Sequence, residues 1–108
     1  MKNNNILLKT YLVSCLLLLS SYSIGQRTHE YYVTGEIHCT YQLKDGNKHG
    51  KYREYFKSGH LSVKGYFFKG NEIGIWKYYY DNNLLKAKVW YWLNGEMIRK
   101  ITYQETYR

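Results

Sequence analysis

The chain has 108 residues, no proline and only two cysteines, and 16 lysines and arginines stand against 8 acidic residues. This length suits one small domain with a thin core. An excess of positive charge favours anionic partners, which include phospholipid headgroups, acidic glycans and an acidic protein face.

Residues 1–25 are typical of a secretory signal peptide. Lys2 and Lys9 supply basic residues, residues 11–19 form an apolar stretch, and residues 20–25 are small and polar. Cleavage is expected after Gly25, which makes Gln26 the mature N-terminus. Because two lysines and no acids would be removed, the mature chain carries a net charge of +6 instead of +8. The predicted location is therefore periplasmic, cell-surface or secreted.

Two alternatives remain for this segment. An uncleaved membrane anchor needs roughly 17 to 25 apolar residues, and the stretch is shorter than that. The run Leu12-Val13-Ser14-Cys15 resembles a bacterial lipobox, in which Cys15 would carry the lipid. The leucines that follow Cys15 argue against this reading, since lipoproteins usually continue with a polar tether.

Cys39 is the one cysteine left after cleavage, so the mature chain cannot form an intrachain disulfide. In a strand, residues two apart share a face. Ile37, Cys39, Tyr41 and Leu43 therefore share a face that looks core-facing, and Cys39 is predicted to be a small buried apolar side chain.

The mature chain repeats itself at a fixed offset. The run that begins Gly46-Asn47-Lys48-His49-Gly50 returns as Gly70-Asn71-Glu72-Ile73-Gly74, and the aromatic residues that follow also recur. We call the separation of Gly46 from Gly70 the repeat offset. A fixed period in the range of roughly 20 to 50 residues indicates one supersecondary unit stacked on copies of itself.

Each unit is predicted to hold two short strands and two turns. Aromatic and β-branched runs lie between glycine- and asparagine-rich breaks, and no helical periodicity is present. The predicted fold is an all-β antiparallel meander of β-hairpins in a single layer. Its strands are expected at residues 31–34, 36–43, 51–56, 61–68, 75–80, 84–92 and 96–104.

The repeated pattern resembles the MORN repeat variant found in many bacterial proteins. One copy is carried by Gly46, Gly50, Tyr52, Tyr55, Phe56, Gly59 and Leu61. The next is carried by Gly70, Gly74, Trp76, Tyr79, Tyr80 and Leu85, with Asn83 in place of the turn glycine. A third copy, from Asn94-Gly95, is partial. Residues 41–108 are thus expected to form the repeat domain, and residues 26–40 a lead-in with the first strands.

The resemblance implies an elongated, twisted, single-layer sheet of stacked hairpins. Bacterial relatives are often labelled as antitoxin components, and the wider class is linked to membrane attachment and protein scaffolding. An antitoxin acting in the cytoplasm would not carry a secretion signal, which leaves an immunity-type role outside the cytoplasm as the form of this alternative.

Strand alternation divides the best-defined strands into two faces. Leu61, Val63, Gly65 and Phe67 are expected on a core face, with Leu85, Ala87, Val89 and Tyr91 beside them. The opposite face is the candidate binding surface, formed by Lys64, Tyr66, Phe68, Lys86, Lys88, Trp90 and Trp92. Aromatic residues beside cations suit a partner's acidic loop, a headgroup or a glycan, although such rings can also simply cover the sheet.

No catalytic set, metal site or cofactor site is predicted. None of the four histidines has zinc-ligand spacing, and His38 and Cys39 are expected on opposite sides of a strand. The pair Cys39 and His60 has no supporting motif as a nucleophile and base. The predicted function is therefore an exported, non-enzymatic module that binds a protein. The alternatives are peripheral binding to anionic lipid or envelope glycan, and an antitoxin-like role; a nucleic-acid partner is not expected.

Overall fold

The computed structural model describes residues 25–105, which form one antiparallel sheet of seven strands. The strands are β1 (Arg27–Tyr31), β2 (Ile37–Lys44), β3 (Asn47–Tyr55), β4 (Leu61–Phe68), β5 (Asn71–Tyr79), β6 (Leu85–Tyr91) and β7 (Met97–Thr102). Their order in the sheet follows the sequence, and β1 and β7 form two open edges. The predicted all-β antiparallel meander is confirmed. The proposed signal segment lies almost wholly outside the described residues.

Two-residue turns join β2 to β3 and β4 to β5. Asp45 and Gly46 have φ angles of 51° and 79°, and Lys69 and Gly70 have φ angles of 49° and 84°. Positive φ at both central residues is the property of the type I′ turn, whose twist matches that of the flanking strands. The strands therefore run directly into these turns, with Asn47 and Asn71 as their first residues after the turn.

The predicted starts of β3 and β5, at residues 51 and 75, were wrong. Sequence reasoning treated each Gly-x-x-x-Gly run as one turn, whereas only its first glycine turns the chain. Gly50 and Gly74 lie inside the strands, at irregularities of the register where three residues oppose one residue of the neighbouring strand. Both have positive φ angles, 80° and 68°, which a bulge of this kind requires and glycine adopts without a steric penalty.

Three-residue loops form the remaining connections. In the loop from β3 to β4, Phe56 N donates to His60 O at 2.9 Å, and the same closing bond recurs at the β1–β2, β5–β6 and β6–β7 loops. The third loop residue has a positive φ in each case, and in the β5–β6 loop that residue is Asn83, with φ 69°. Asparagine tolerates this conformation better than other side-chain-bearing residues, which explains how Asn83 stands where the repeat has glycine.

The first strand was predicted at residues 31–34, but β1 spans Arg27–Tyr31. Tyr31, Tyr32 and Val33 have strand composition, yet Tyr32 closes a three-residue loop that ends at Gly35. Phe56 closes the equivalent loop after β3 and is separated from Tyr32 by the repeat offset. The structural repeat therefore extends N-terminal to the copies that the sequence pattern revealed.

The register irregularities themselves recur with the repeat. Five of the six in the described sheet lie at residues 30/31, 54/55 and 78/79, and again at 40/42 and 64/66; the sixth, at 90/91, lies outside these two series. Within each series, successive irregularities are separated by the repeat offset. A bulge bends the bulged strand and increases its twist, so twist is added at regular intervals along the sheet.

The core is centred on Trp76, whose exposed fraction is 2%, and lies on the face predicted from Gly65, Ala87 and Val89. The bulges at residues 54/55 and 78/79 turn Leu61 and Leu85, which were expected on this face, to the opposite side. The rings of Tyr52, Phe67 and Tyr91 lie at centroid distances of 5.4, 5.0 and 6.5 Å from the indole. Trp76 Nε1 donates to the carbonyl of Tyr66 at 3.2 Å. Ala87 and Val89 are also buried on this face, so small residues flank the large central ring.

Strand β2 departs from the predicted alternation. Cys39 is buried as expected, but Ile37 and Leu43 are exposed. The bulge between β1 and β2 accounts for Ile37: Tyr31 pairs with Ile37 and Glu30 pairs with Cys39, which leaves His38 as the extra residue, whereas Leu43 lies beyond the last residue that pairs with β1. The shift turns Ile37 to the face opposite Cys39. It also brings His38 onto the side of Cys39, so the expectation that these two point apart was wrong.

Candidate functional site

A row of four cations crosses the face opposite Trp76. Arg53 pairs with Lys64, Lys64 with Lys77, and Lys77 with Lys88, on the adjacent strands β3 to β6. Neighbouring strands are about 4.8 Å apart, so each cation lies beside the next. We call Arg53, Lys64, Lys77 and Lys88 the basic row.

The basic row is not neutralised by acids. Among residues 25–105, the ion pairs within 4 Å join His38 to Glu54 and His60 to Asp81, and neither includes a member of the row. Like charges directly opposite one another destabilise a sheet. The row therefore costs stability in the free protein and produces a positive potential that attracts anions.

A shallow depression of about 310 Å³ adjoins the row. Its lining includes Lys51, Arg53, Lys64, Lys77, Tyr66 and Ile75. Tyr66 is half exposed and Ile75 nearly so. An anionic group at this place would meet cations from three strands together with apolar surface, a combination that suits an amphipathic ligand.

The remaining aromatic residues of the predicted surface are more dispersed. Trp90 pairs with Ile75 and Arg99, and the Arg99 guanidinium lies 5.8 Å over its ring. Tyr66 pairs instead with Lys51 and Ile73. Because the bulge at Gly74 offsets the register, no ring contact within the described sheet joins Tyr66 to Trp90.

Phe68, Trp92 and Lys86 lie away from the row. Phe68 and Trp92 are exposed at the C-terminal ends of β4 and β6, on the side of the sheet where β2 also ends. Lys86 lies 5.5 Å over the ring of Tyr80 and lines a depression with Ala87 and Val89. It is the extra residue of the β5–β6 bulge, so it lies on the core side of the sheet and not on the face of the basic row. The structure thus places Lys64 and Lys88 in the basic row and Tyr66 in the adjoining depression, whereas Phe68, Lys86 and Trp92 lie away from both.

Sequence reasoning missed Arg53 and Lys77 because it compared strands separated by the repeat offset, which are second neighbours in the sheet. The intervening strands supply the other half of the row. A signal was available in Arg53 and Lys77, which are themselves separated by the repeat offset and alternate with the core residues Tyr52 and Trp76.

The repeat residues occupy structural positions. Gly46 and Gly70 lie in the two-residue turns, Gly59 closes a three-residue loop, and Tyr55 and Tyr79 end β3 and β5. Leu61 and Leu85 begin β4 and β6 and are half-buried. Their places account for the recurrence of these residue types through turn geometry and packing.

A Ser–His–Asp grouping occurs where the β3–β4 and β5–β6 loops meet, but its geometry does not activate a nucleophile. Ser58 Oγ donates to Asp81 Oδ1 at 2.5 Å, and His60 Nδ1 lies 3.2 Å from the same carboxylate oxygen. Nucleophilic activation needs the hydroxyl to donate to the imidazole, with the carboxylate behind it. Here the serine and the histidine both contact the acid, so the grouping links two loops.

Cys39 lies beside Glu30, and its Sγ donates to Glu30 Oε2 at 3.2 Å. Burial, together with the adjacent carboxylate, raises the pKa of the Cys39 thiol to about 11. Hydrogen bonds from Tyr41 and Cys39 in turn lower the pKa of Glu30. A thiol that stays protonated at neutral pH is a poor nucleophile, since the thiolate is the reactive form.

No family model, no curated protein and no solved structure matches the chain. Within residues 25–105, no helix has the length and apolar character needed to cross a membrane.

Proposed function

We propose that this protein is an exported, non-enzymatic repeat module that binds an acidic segment of a partner protein along its basic row. The observation that carries the proposal is the row of four cations, which have no acidic partner among residues 25–105, beside a depression that includes Tyr66 and Ile75. A cluster of this kind is unfavourable in the free sheet. An acidic segment would relieve the repulsion, and Tyr66 and Ile75 would add apolar contact area.

The test compares two double variants that remove the same charge. Lys64→Gln with Lys77→Gln shortens the basic row, whereas Lys44→Gln with Lys57→Gln removes two exposed lysines outside it. Each protein is immobilised and exposed to envelope extract. We expect a protein that is retained by the wild type and by the control but is lost from the row variant.

A melting curve of each variant completes this test. Because the row variant removes like-charge contacts, its melting temperature should be at or above that of the wild type, which separates lost binding from lost folding. Equal retention by the row variant and the wild type would refute the proposal. So would equal loss from both double variants, which would indicate general charge attraction.

Membership of the MORN-variant class is part of the proposal. Its support is the recurrence of the glycine pattern at the repeat offset, together with the recurrence of turns and bulges at the same interval.

The export part of the proposal rests on the signal-peptide pattern of residues 1–25. Mass spectrometry of the natively expressed protein should find Gln26 at the N-terminus; retention of Met1 in a cytoplasmic protein would refute export, and an acylated Cys15 would indicate a lipoprotein.

A second candidate function, binding to an anionic membrane surface, is favoured by the exposed residues at one set of strand ends. The turns after β2, β4 and β6 all lie on this side of the sheet, and Leu43, Phe68, Trp92 and Leu93 are exposed there. We call these four residues the turn rim. Lys44 and Lys69 lie beside it, and interfacial aromatic residues with nearby lysines suit the headgroup region of a bilayer.

Flotation with vesicles of phosphatidylglycerol and phosphatidylcholine tests this second function. We expect the wild type to float at low salt and to sink as salt screens the attraction. Trp92→Ser with Leu93→Ser should abolish flotation. The matched control, Tyr31→Ser with Val33→Ser, changes residues that are at least as exposed, near the opposite ends of the strands, and should float. A wild type that remains in the bottom fraction would exclude this function.

A further inference from the structure

We propose that Glu30, His38 and Cys39 form a binding site for one Zn²⁺ ion. One ligand atom from each of the three side chains lies within 4.8 Å of the other two. Carboxylate oxygen, imidazole nitrogen and thiolate sulfur are the three donor types that zinc accepts in proteins. This site is separate from the basic row and is independent of the proposed binding of a partner.

The β1–β2 bulge creates the site. In a regular strand the side chains of His38 and Cys39 would point to opposite faces. The extra residue at His38 places both on the face of Glu30, which pairs with Cys39 across the two strands. Two consecutive ligands and one cross-strand ligand therefore converge without any loop between them.

The distances are close to those that zinc needs. Zinc–ligand bonds are about 2.0 to 2.3 Å, so ligand atoms in a tetrahedral site lie roughly 3.3 to 3.7 Å apart. Cys39 Sγ and Glu30 Oε2 are already 3.2 Å apart. Small side-chain rotations would bring the third ligand to the same separation. The His38 side chain is partly exposed, with its ring 4.5 Å from that of Tyr32.

Outer partners for two of the ligands are also present. Glu54 Oε1 lies 3.5 Å from His38 Nε2, and Tyr41 Oη donates to Glu30 Oε1 at 2.6 Å. Contacts of this kind orient metal-bound histidine and carboxylate groups. Tyr52 Oη donates to Glu54 Oε2 at 3.0 Å and so fixes this outer carboxylate in turn.

Charge and proton balance are consistent with a divalent ion. Binding replaces the thiol proton of Cys39 with Zn²⁺, and the proton passes to the solvent. The Glu30 carboxylate and the Cys39 thiolate then neutralise the two positive charges of the ion. Three protein ligands leave one coordination position, which water can fill.

Calorimetric titration of the full chain with Zn²⁺, after treatment with a chelator, tests the site. We expect one ion per chain and a melting temperature that rises with free Zn²⁺, because the ion binds the folded state. Glu30→Gln, His38→Gln and Cys39→Ser should each weaken binding at least tenfold. His49→Gln and His60→Gln are the matched controls and should bind as the wild type does.

Cobalt provides a readout that does not depend on a variant of the site. Co²⁺ in the wild-type site should show sulfur-to-cobalt charge-transfer absorption, since Cys39 is the only cysteine among residues 25–105. Cys15→Ser should leave this absorption unchanged. Absence of the absorption would overturn the proposal even if Cys39→Ser fails to fold. Equal zinc affinity of the wild type and Glu30→Gln, whose substituted side chain is exposed, would also overturn it.

Discussion

At the scale of single residues, the three-residue loops carry a tyrosine bond that one repeat lacks. Tyr32 Oη donates to the carbonyl of Tyr55 at 2.7 Å, and Tyr80 Oη donates to the carbonyl of Tyr103 at 3.1 Å. Phe56 occupies the intervening position of this series and has no hydroxyl. A hydroxyl at residue 56 would have the carbonyl of Tyr79 as its equivalent acceptor.

Phe56→Tyr should therefore stabilise the protein by about 0.5 to 1.5 kcal/mol, the usual net contribution of one hydrogen bond. Thermal unfolding of the variant measures this gain. Tyr32→Phe is the reciprocal control and should lower stability by a similar amount. If Phe56→Tyr does not raise the melting temperature while Tyr32→Phe lowers it, the repeats are not equivalent at this position.

Gly65 is required for the position of Trp76. A Cβ atom at residue 65 would lie 2.2 Å from Trp76 Cδ2 and 2.3 Å from Cε2. The indole cannot withdraw without losing its packing and its bond to the Tyr66 carbonyl. The core therefore has no room for a side chain at residue 65.

Gly65→Ala should destabilise the protein by roughly 1 to 3 kcal/mol, the usual range for overpacking. A double-mutant cycle with Trp76→Phe checks the cause, because the smaller ring should reduce the penalty of the added methyl group. Denaturant unfolding gives all four stabilities. Additive effects of the two substitutions would show that the clash with the indole is not the source of the loss.

At the scale of elements, the bulges decide where alternation holds. The sheet, the strand order and the core face of β4 and β6 beyond their first residues could be predicted from turn residues and period-two patterns. The side of His38 could not, because its bulge leaves no local sequence mark. The starts of β3 and β5 could not, because a glycine at a bulge and a glycine at a turn look alike in sequence. The basic row needed the register of adjacent strands, which alternation within one strand does not supply.

The bulge glycine Gly74 gives a prediction at this scale. Its φ of 68° is unfavourable for a β-branched residue, although no atom within 4 Å would meet an added Cβ. Gly74→Val should therefore destabilise the protein by about 1 to 3 kcal/mol through backbone strain alone. Gly74→Asn is the control, since asparagine tolerates positive φ, and should cost less in the same melting experiment. Equal losses would argue against strain as the cause.

At the scale of the whole molecule, the sheet is an open array whose ends are short strands. β1 has 5 residues and β7 has 6, whereas the interior strands have 7 to 9. Short edges carrying charged residues such as Arg99 and Lys100 limit pairing with other chains. A copy of an interior two-strand unit can therefore be inserted while β1 and β7 remain the edge strands.

Insertion of a second copy of residues 47–70 after Gly70 should yield a folded sheet of nine strands. The junction places Asn47 after Gly70, where Asn71 normally follows, so turn and register are retained. The urea m-value should increase by roughly a quarter to a third, because it scales with the surface exposed on unfolding. Insertion of residues 47–58 alone adds one strand, reverses the direction of those that follow, and should not fold. A folded half-unit variant would contradict this account.

The strict neighbour order of the strands also bears on how fast the chain folds. The register pairs most distant in sequence within the described sheet are Gly50 with Phe67 and Gly74 with Tyr91, and each of them still lies within a single hairpin. Folding rates fall as contacts become more distant in sequence, and this slows most all-β proteins. Here each hairpin closes over a short segment, and each new strand adds to an edge that already exists. The sheet can therefore form progressively, strand by strand, from one end of the chain.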